Sequence, residues 1–206
     1  MFLRQKFPWR QALALFLLFL AFTALWAQAQ QVSLSEKLLR LHVVANSDTA
    51  ADQALKLKVR DRVLETTRPL LEGVGNAKEA EAVLTRNLPA LTEAAQREIK
   101  ARGSTGPVSI SLEDAWFPTR TYGTAALPAG TYRALRVVIG SGEGHNWWCV
   151  VFPSLCLPAV SETSLQTAGL SEEDIALVTE ESPRYVFRFK SIEWWESLKH
   201  SLSQTQ

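Results

Sequence analysis

An apolar run near the N-terminus constrains this chain more than any other feature. Residues 12–27 carry a single polar side chain, Thr23, and follow Arg4, Lys6 and Arg10 with no acidic residue before them. As a helix the run reaches roughly 24 Å, short of a ~30 Å hydrocarbon core. Ala27-Gln28-Ala29 then supplies the small-x-small pattern that signal peptidase requires. A basic flank, a short apolar centre and a small-residue exit read as a secretory signal cut after Ala29. A retained, tilted anchor is the alternative, since bulky Trp26 stands close to the cut. Either outcome places the rest of the chain outside the cytoplasm, because the Lys and Arg residues stay inside.

Residues 30–206 suffice for one domain with a real core. The chain has 22 Lys and Arg against 21 Asp and Glu, a balance that argues against nucleic acid and anionic lipid as partners. Membrane contact is expected only through residues 1–29. The only two cysteines, Cys149 and Cys156, fall in the exported part. Export favours a disulfide between them, worth roughly 2–3 kcal/mol in the chain-entropy picture. Two reduced, buried thiols are the other reading.

Leu39, Leu41 and Val43 alternate with Arg40, His42 and Val44, a half-buried strand pattern. Asn46, Ser47, Asp48 and Thr49 end it and offer N-caps for a helix running to about Arg68. Apolar residues on two faces of that helix predict a sandwiched position. Asn76 and Glu79 resemble a capping box, opening a second helix to about Asn87. Pro89 suits the first turn of a third helix ending near Gly103. Val108, Ile110 and Leu112 restore strand alternation, and residues 117–130 read as a loop. Residues 135–139 and 147–152 read as two strands of a hairpin through the glycine-rich stretch 140–144. An acidic helix start at Ser171, a short strand over residues 185–189 and a final helix with Ile192, Trp195, Leu198 and Leu202 complete the pattern. The sum is an α+β domain, a mixed sheet with several helices packed on it, behind an N-terminal apolar signal segment.

The chain carries few signatures of catalytic or ligand chemistry. Residues 140–144 lack the Lys-Ser/Thr ending of a phosphate loop, and a strand follows them. His42, His145, Cys149 and Cys156 match no zinc module, so neither a metal nor another cofactor is expected. Glu113 and Asp114 point to opposite faces of a strand and cannot converge on one atom. A Cys149–histidine pair is the one nucleophile–base arrangement to weigh, and no catalytic residue is assigned. What stands out is aromatic and polar residues around two loops: Trp116, Phe117, Arg120 and Tyr122, then His145, Asn146, Trp147 and Trp148. Trp, Tyr and Arg are the residue types that anchor protein interfaces.

Two segments resemble a known family. One runs Leu39-Arg40-Leu41-His42-Val43-Val44-Ala45-Asn46-Ser47-Asp48 and on to Lys58-Val59-Arg60-Asp61. The other contains Phe117-Pro118-Thr119-Arg120-Thr121-Tyr122-Gly123, Leu127-Pro128-Ala129-Gly130-Thr131-Tyr132-Arg133 and Gly142-Glu143-Gly144-His145-Asn146-Trp147-Trp148-Cys149, reaching Cys156. They resemble the stage II sporulation protein R family across residues 39–156; the tail, residues 157–206, is less recognisable. The resemblance implies a signalling protein made in the forespore and exported into the space between its two membranes. There it triggers a membrane-embedded aspartic protease that removes the pro-sequence of the mother-cell sigma factor, sigma E. On this reading Arg120, Tyr122, Asn146, Trp147 and Trp148 are the candidate contact surface, with Asn46, Ser47 and Asp48 as a second. The alternatives are an envelope thiol-dependent hydrolase acting on peptidoglycan through Cys149, and an anchored adaptor between the two membranes.

Overall fold

The computed structural model describes residues 9–122 and 125–153. Cys156 and the elements expected beyond it lie outside the described residues. The architecture is α+β, as the periodicity predicts. A 27-residue helix, α1 (Trp9–Ser35), precedes the domain. Its first 18 residues are predominantly apolar and long enough to cross a membrane by length and composition, and none of that stretch is buried in the protein. The helix continues through Ala27-Gln28-Ala29 and ends at the domain, where Leu34 is fully buried.

The domain follows as β1 (Leu39–Val44), α2 (Ala50–Leu71), α3 (Ala77–Ala101), β2 (Val108–Phe117), β3 (Arg120–Tyr122), β4 (Ala125–Leu127), β5 (Gly130–Ile139) and β6 (Asn146–Phe152). Four strands form a mixed sheet in the order β2-β5-β1-β6. β1 is parallel to β5 and antiparallel to β6. This corrects the expected hairpin: β5 and β6 are joined by the glycine-rich stretch but never pair, because β1 lies between them. Local alternation marks both as strands, whereas the choice of neighbour is made by β1, which is buried along its whole length. The hairpin-like antiparallel partner of β5 is β2. Residues 117–130, expected to be a plain loop, carry the two-stranded β3–β4 hairpin.

One face of the sheet packs on the helices. Leu41, Val43, Leu135, Val137, Cys149 and Val151 meet Val59 and Val63 of α2 and Leu84, Leu91 and Ile99 of α3 in one cluster. Thr49 caps α2, its side chain accepting from Asp52 N, and the helix runs on to Leu71 past Pro69. α2 and α3 pack on each other and both reach the sheet, α2 at β1 and β6 and α3 at β2 and β1, so α2 is covered by sheet and helix without separating α3 from the sheet. The two helices expected around Pro89 are instead one, α3, with Pro89 inside it. A mid-helix proline loses one hydrogen bond and costs ~3 kcal/mol. Leu84, Leu91 and Ile99 are fully buried on both sides of it, each worth roughly 1.5–3 kcal/mol, so packing of one continuous stripe outweighs the break. Asn76 caps α3 as expected, accepting from Glu79 N at 2.9 Å. Gly103, at φ 77°, ends it with Ser104 N bonded to Ile99 O.

Candidate functional site

The C-terminal end of β1 is where the two distinctive sequence segments meet. The β1–α2 turn and the β5–β6 crossover are distant in sequence, and Asn46 ties them together. Its Oδ1 accepts from Ser141 N at 3.0 Å, its backbone oxygen accepts from Ser141 Oγ at 2.9 Å, and its Nδ2 donates to Asp52 Oδ2 at 2.9 Å. Ser47 Oγ donates to the same carboxylate oxygen at 2.5 Å. Hydrogen bonds from Ser47 and then Asn46 hold the Asp52 carboxyl below its ordinary range. Asp48 Oδ1 accepts from His145 N at 2.6 Å and touches the His145 ring at Nδ1. Lys56, buried at 5% exposure, closes the assembly from α2 by donating to His145 O at 2.9 Å.

The glycines of the crossover answer to this latch. A Cβ on Gly140 would sit 2.0 Å from Asn46 Oδ1, and one on Gly144 would sit 2.3 Å from Ser47 O. Neither distance is sterically accessible: Gly144 lets the crossover approach the Ser47 backbone and Gly140 leaves room for the Asn46 side chain, a packing reason for glycine rather than a phosphate cradle. Asn46 is therefore an internal tie, Ser47 is half-buried within it, and Asp48 stands exposed at its rim.

The sheet face away from the helices holds a second constellation that the sequence reading did not assemble. Arg40, at 0% exposure, lies in a box of rings: Phe117 at 4.1 Å, Tyr132 at 4.8 Å and Tyr122 at 5.9 Å from the guanidinium carbon. Its Nη2 donates to Tyr122 Oη at 2.7 Å and its Nε to Cys149 O at 3.4 Å. Tyr122 Oη in turn donates to Trp148 O at 3.2 Å. The ring faces supply the negative charge density that no carboxylate provides here among the described residues. Beside Arg40 on β1, His42 stacks on Trp148 with ring centroids 3.9 Å apart. His42 Nε2 donates to Asn146 Oδ1 at 2.7 Å, and its buried Nδ1 has no partner among the described residues. Burial lowers the His42 pKa, with the Asn146 contact opposing it. Protonation would place a second N–H in an apolar setting without an acceptor.

The candidate contact residues thus separate by exposure. Tyr122 and Trp148 are half-buried and brace Arg40 and His42. Arg120, Asn146 and Trp147 are exposed. Strand alternation puts Trp147 and Trp148 on opposite faces, as expected. Trp147 lies on the helix side at the sheet margin, where the Arg60 guanidinium stacks over its ring at 4.3 Å. Arg60 itself went unmarked in the sequence, because an arginine on an amphipathic helix reads as a solvated face. Arg40 went unmarked because its strand looked half-exposed; the run of aromatics at 116–132 was the available signal that a second core face exists.

Cys149 is disulfide-bonded, and its side chain packs in the helix-side core. His42 lies on the other face of the sheet, so the two form no nucleophile–base pair. No group of three or more His, Cys, Asp or Glu is placed to hold a metal ion among the described residues.

The sequence profile of stage II sporulation protein R matches residues 35–162, more than half of the chain. The chain belongs to this family. It is 35% identical over 134 residues to Stage II sporulation protein R of Bacillus subtilis (strain 168), an alignment covering 65% of this chain and 60% of that protein. The chain therefore spans about three fifths of the length of the curated relative it matches. No solved structure matches it. Membership in the stage II sporulation protein R family assigns a role in sporulation, and the N-terminal apolar helix fits an export signal. The profile begins where α1 ends and takes in the whole described sheet. In structural terms the stage II sporulation protein R motifs hold the Arg40 box, on β1, and the Asn46 latch, in the turn just beyond the C-terminal end of that strand.

Proposed function

We propose that this chain is a secreted protein ligand, not an enzyme, acting in the space between the forespore and mother-cell membranes. It binds the outward-facing part of the membrane-embedded aspartic protease that removes the pro-sequence of sigma E, and biases that protease toward its active arrangement. The observation that carries the reading is family membership over the whole described domain. The apolar, unburied α1 supports export. Activation of this kind requires only that the ligand favour one of two states; moving a population from 1:99 to 99:1 takes roughly 10⁴-fold preferential binding. A thiol-dependent hydrolase would need a free thiolate at Cys149 with a histidine in reach, and the disulfide at Cys149 speaks against it.

A cell experiment tests the proposal. In a spore-forming host deleted for its own family member, this chain is expected to restore removal of the sigma-factor pro-sequence. A version lacking residues 1–29 is expected to remain in the forespore and fail. An exported, stable full-length chain that leaves the precursor intact would contradict the proposal.

A further inference from the structure

β6 is the outermost strand of the described sheet, in the order β2-β5-β1-β6, and pairs there with β1 alone. It nevertheless supplies most of what the buried polar face of that sheet needs. Asn146 Oδ1 accepts from His42 Nε2 at 2.7 Å, and the Trp148 ring stacks on His42 at 3.9 Å. Cys149 O accepts from Arg40 Nε at 3.4 Å, and Trp148 O accepts from Tyr122 Oη at 3.2 Å. Were β6 to leave β1, a guanidinium at 0% exposure and a buried imidazole would lose these partners together. Segments held on one side by few contacts are the ones that open ahead of a whole domain.

The disulfide at Cys149 bears on that opening. The side chain points to the opposite face, buried in the helix-side core and level with Leu41 of β1. It is bonded, and Cys156 is the only other cysteine in the chain. Burial keeps Cys149 from a second copy, so the bond joins Cys149 to Cys156 within one chain. The bond adds no contact to β1; it closes a short ring, so that β6 has fewer conformations to open into. In the chain-entropy picture such a ring shifts the closed-to-open ratio by about 30- to 150-fold.

Resting on the function proposed above, we infer that this disulfide is a lock set by export: it holds β6 on β1, and so makes the domain competent as a signal, only once the chain stands outside the cytoplasm. Thiols stay reduced in the cytoplasm and pair outside it, and α1 is apolar enough to direct export. In the locking step Cys149 and Cys156 give two thiol protons and two electrons to a disulfide oxidant outside the cytoplasm. The oxidant's S–S bond breaks to two thiols as theirs forms. With Cys149 enclosed in the core, this exchange belongs to the interval before β6 seats, and the seated bond is shielded from later reductants. A copy retained inside keeps two thiols and a β6 that opens by itself.

The test uses the full chain in sporulating cells deleted for their own family member, as wild type, Cys149→Ala, Cys156→Ala and the double variant. Alkylation of the exported wild-type chain is expected to find no free thiol, and a version lacking residues 1–29 is expected to keep both. Precursor processing per exported molecule is expected to fall about tenfold in each single variant and no further in the double one, since each removes the same bond. Hydrogen exchange on the purified full chain in detergent reads the strand itself. Residues 146–152 are expected to exchange together with β2 and β5 in wild type and ahead of them in the double variant. Free thiols on the exported wild-type chain, full processing by the double variant, or residues 146–152 keeping pace with β2 and β5 in both chains would each overturn the lock. Should Cys149→Ala fail to fold through lost core volume, Cys156→Ala decides, because it leaves the Cys149 side chain in place. A bonded wild-type chain with a protected β6 that leaves the precursor uncut would uphold the lock and remove the activation reading.

Discussion

Arg40 is a charge placed where a strand usually keeps an aliphatic residue. Desolvating a guanidinium is expensive, and the rings of Phe117, Tyr132 and Tyr122 together with the Tyr122 hydroxyl are what make it tolerable. Tyr122→Phe keeps the ring and deletes the acceptor, leaving a buried charged donor unmet. We expect a loss of about 1–3 kcal/mol, read as a lowered urea midpoint at unchanged slope. A midpoint equal to wild type would mean the box is held by ring faces alone. His42 gives a pH signature. Its folded pKa lies below its ordinary 6.5 because burial disfavours the cation, so the unfolded chain takes up the proton first. Its contribution is whole above that ordinary value and declines as pH falls from there to the folded pKa. The drop in urea midpoint between about pH 7.5 and 5.5 is therefore expected to shrink in His42→Phe, which keeps the stack on Trp148 but cannot titrate. Equal drops in variant and wild type would assign the acid sensitivity elsewhere. Neither residue role was legible in the sequence. Composition and alternation identify Arg40 and His42 as the polar side of a strand, and only the return of residues 117–132 over that side buries them.

Helix and strand identities were largely readable from periodicity and caps, with Asn76, Thr49 and Gly103 acting at the ends where their chemistry places them. What periodicity misjudged were matters settled at long range. Pro89 reads as a helix start because a proline is unfavourable anywhere else; the buried stripe through Leu84, Leu91 and Ile99 carries α3 across it. Since Pro89 is exposed, Pro89→Ala restores a backbone bond without opening a cavity. A gain of about 1–2 kcal/mol is expected after allowing for the looser unfolded chain, seen as a raised melting temperature. A lower melting temperature would show that the proline is shaping the packing. The glycine-rich stretch was read correctly as a turn and wrongly as a hairpin, because nothing local reveals that β1 inserts between the strands it joins. Gly144→Ala drives a Cβ against the Ser47 carbonyl at 2.3 Å, with an expected loss of about 1–3 kcal/mol. Gly73→Ala meets open space at φ 78° and is expected to lose only about 1 kcal/mol of backbone strain. Equal losses in the two variants would argue that the latch is not a close-packed contact.

At the scale of the molecule, one strand organises everything: β1 receives α1 at one end, the Asn46 latch at the other, the helices on one face and the Arg40 box on the other. The first family motif contains this strand and the second supplies both of its neighbours, β5 and β6, so spacing alone suggested no site. The α+β class and an N-terminal apolar helix that fits an export signal were legible from the sequence. Separation of the motif into internal braces (Asn46, Tyr122, Trp148) and exposed groups (Asp48, Arg120, Asn146, Trp147) was not, since alternation gives opposite faces without saying which is covered. On the proposed function, the folded domain itself is the signal. The most direct measurement adds purified residues 30–206 to the outer side of vesicles holding the sigma-factor-processing protease and its precursor. Saturable removal of the pro-sequence, depending on the intact domain and on no added enzyme, is the expected result. A folded, disulfide-bonded domain that leaves the precursor uncut at any concentration would contradict it.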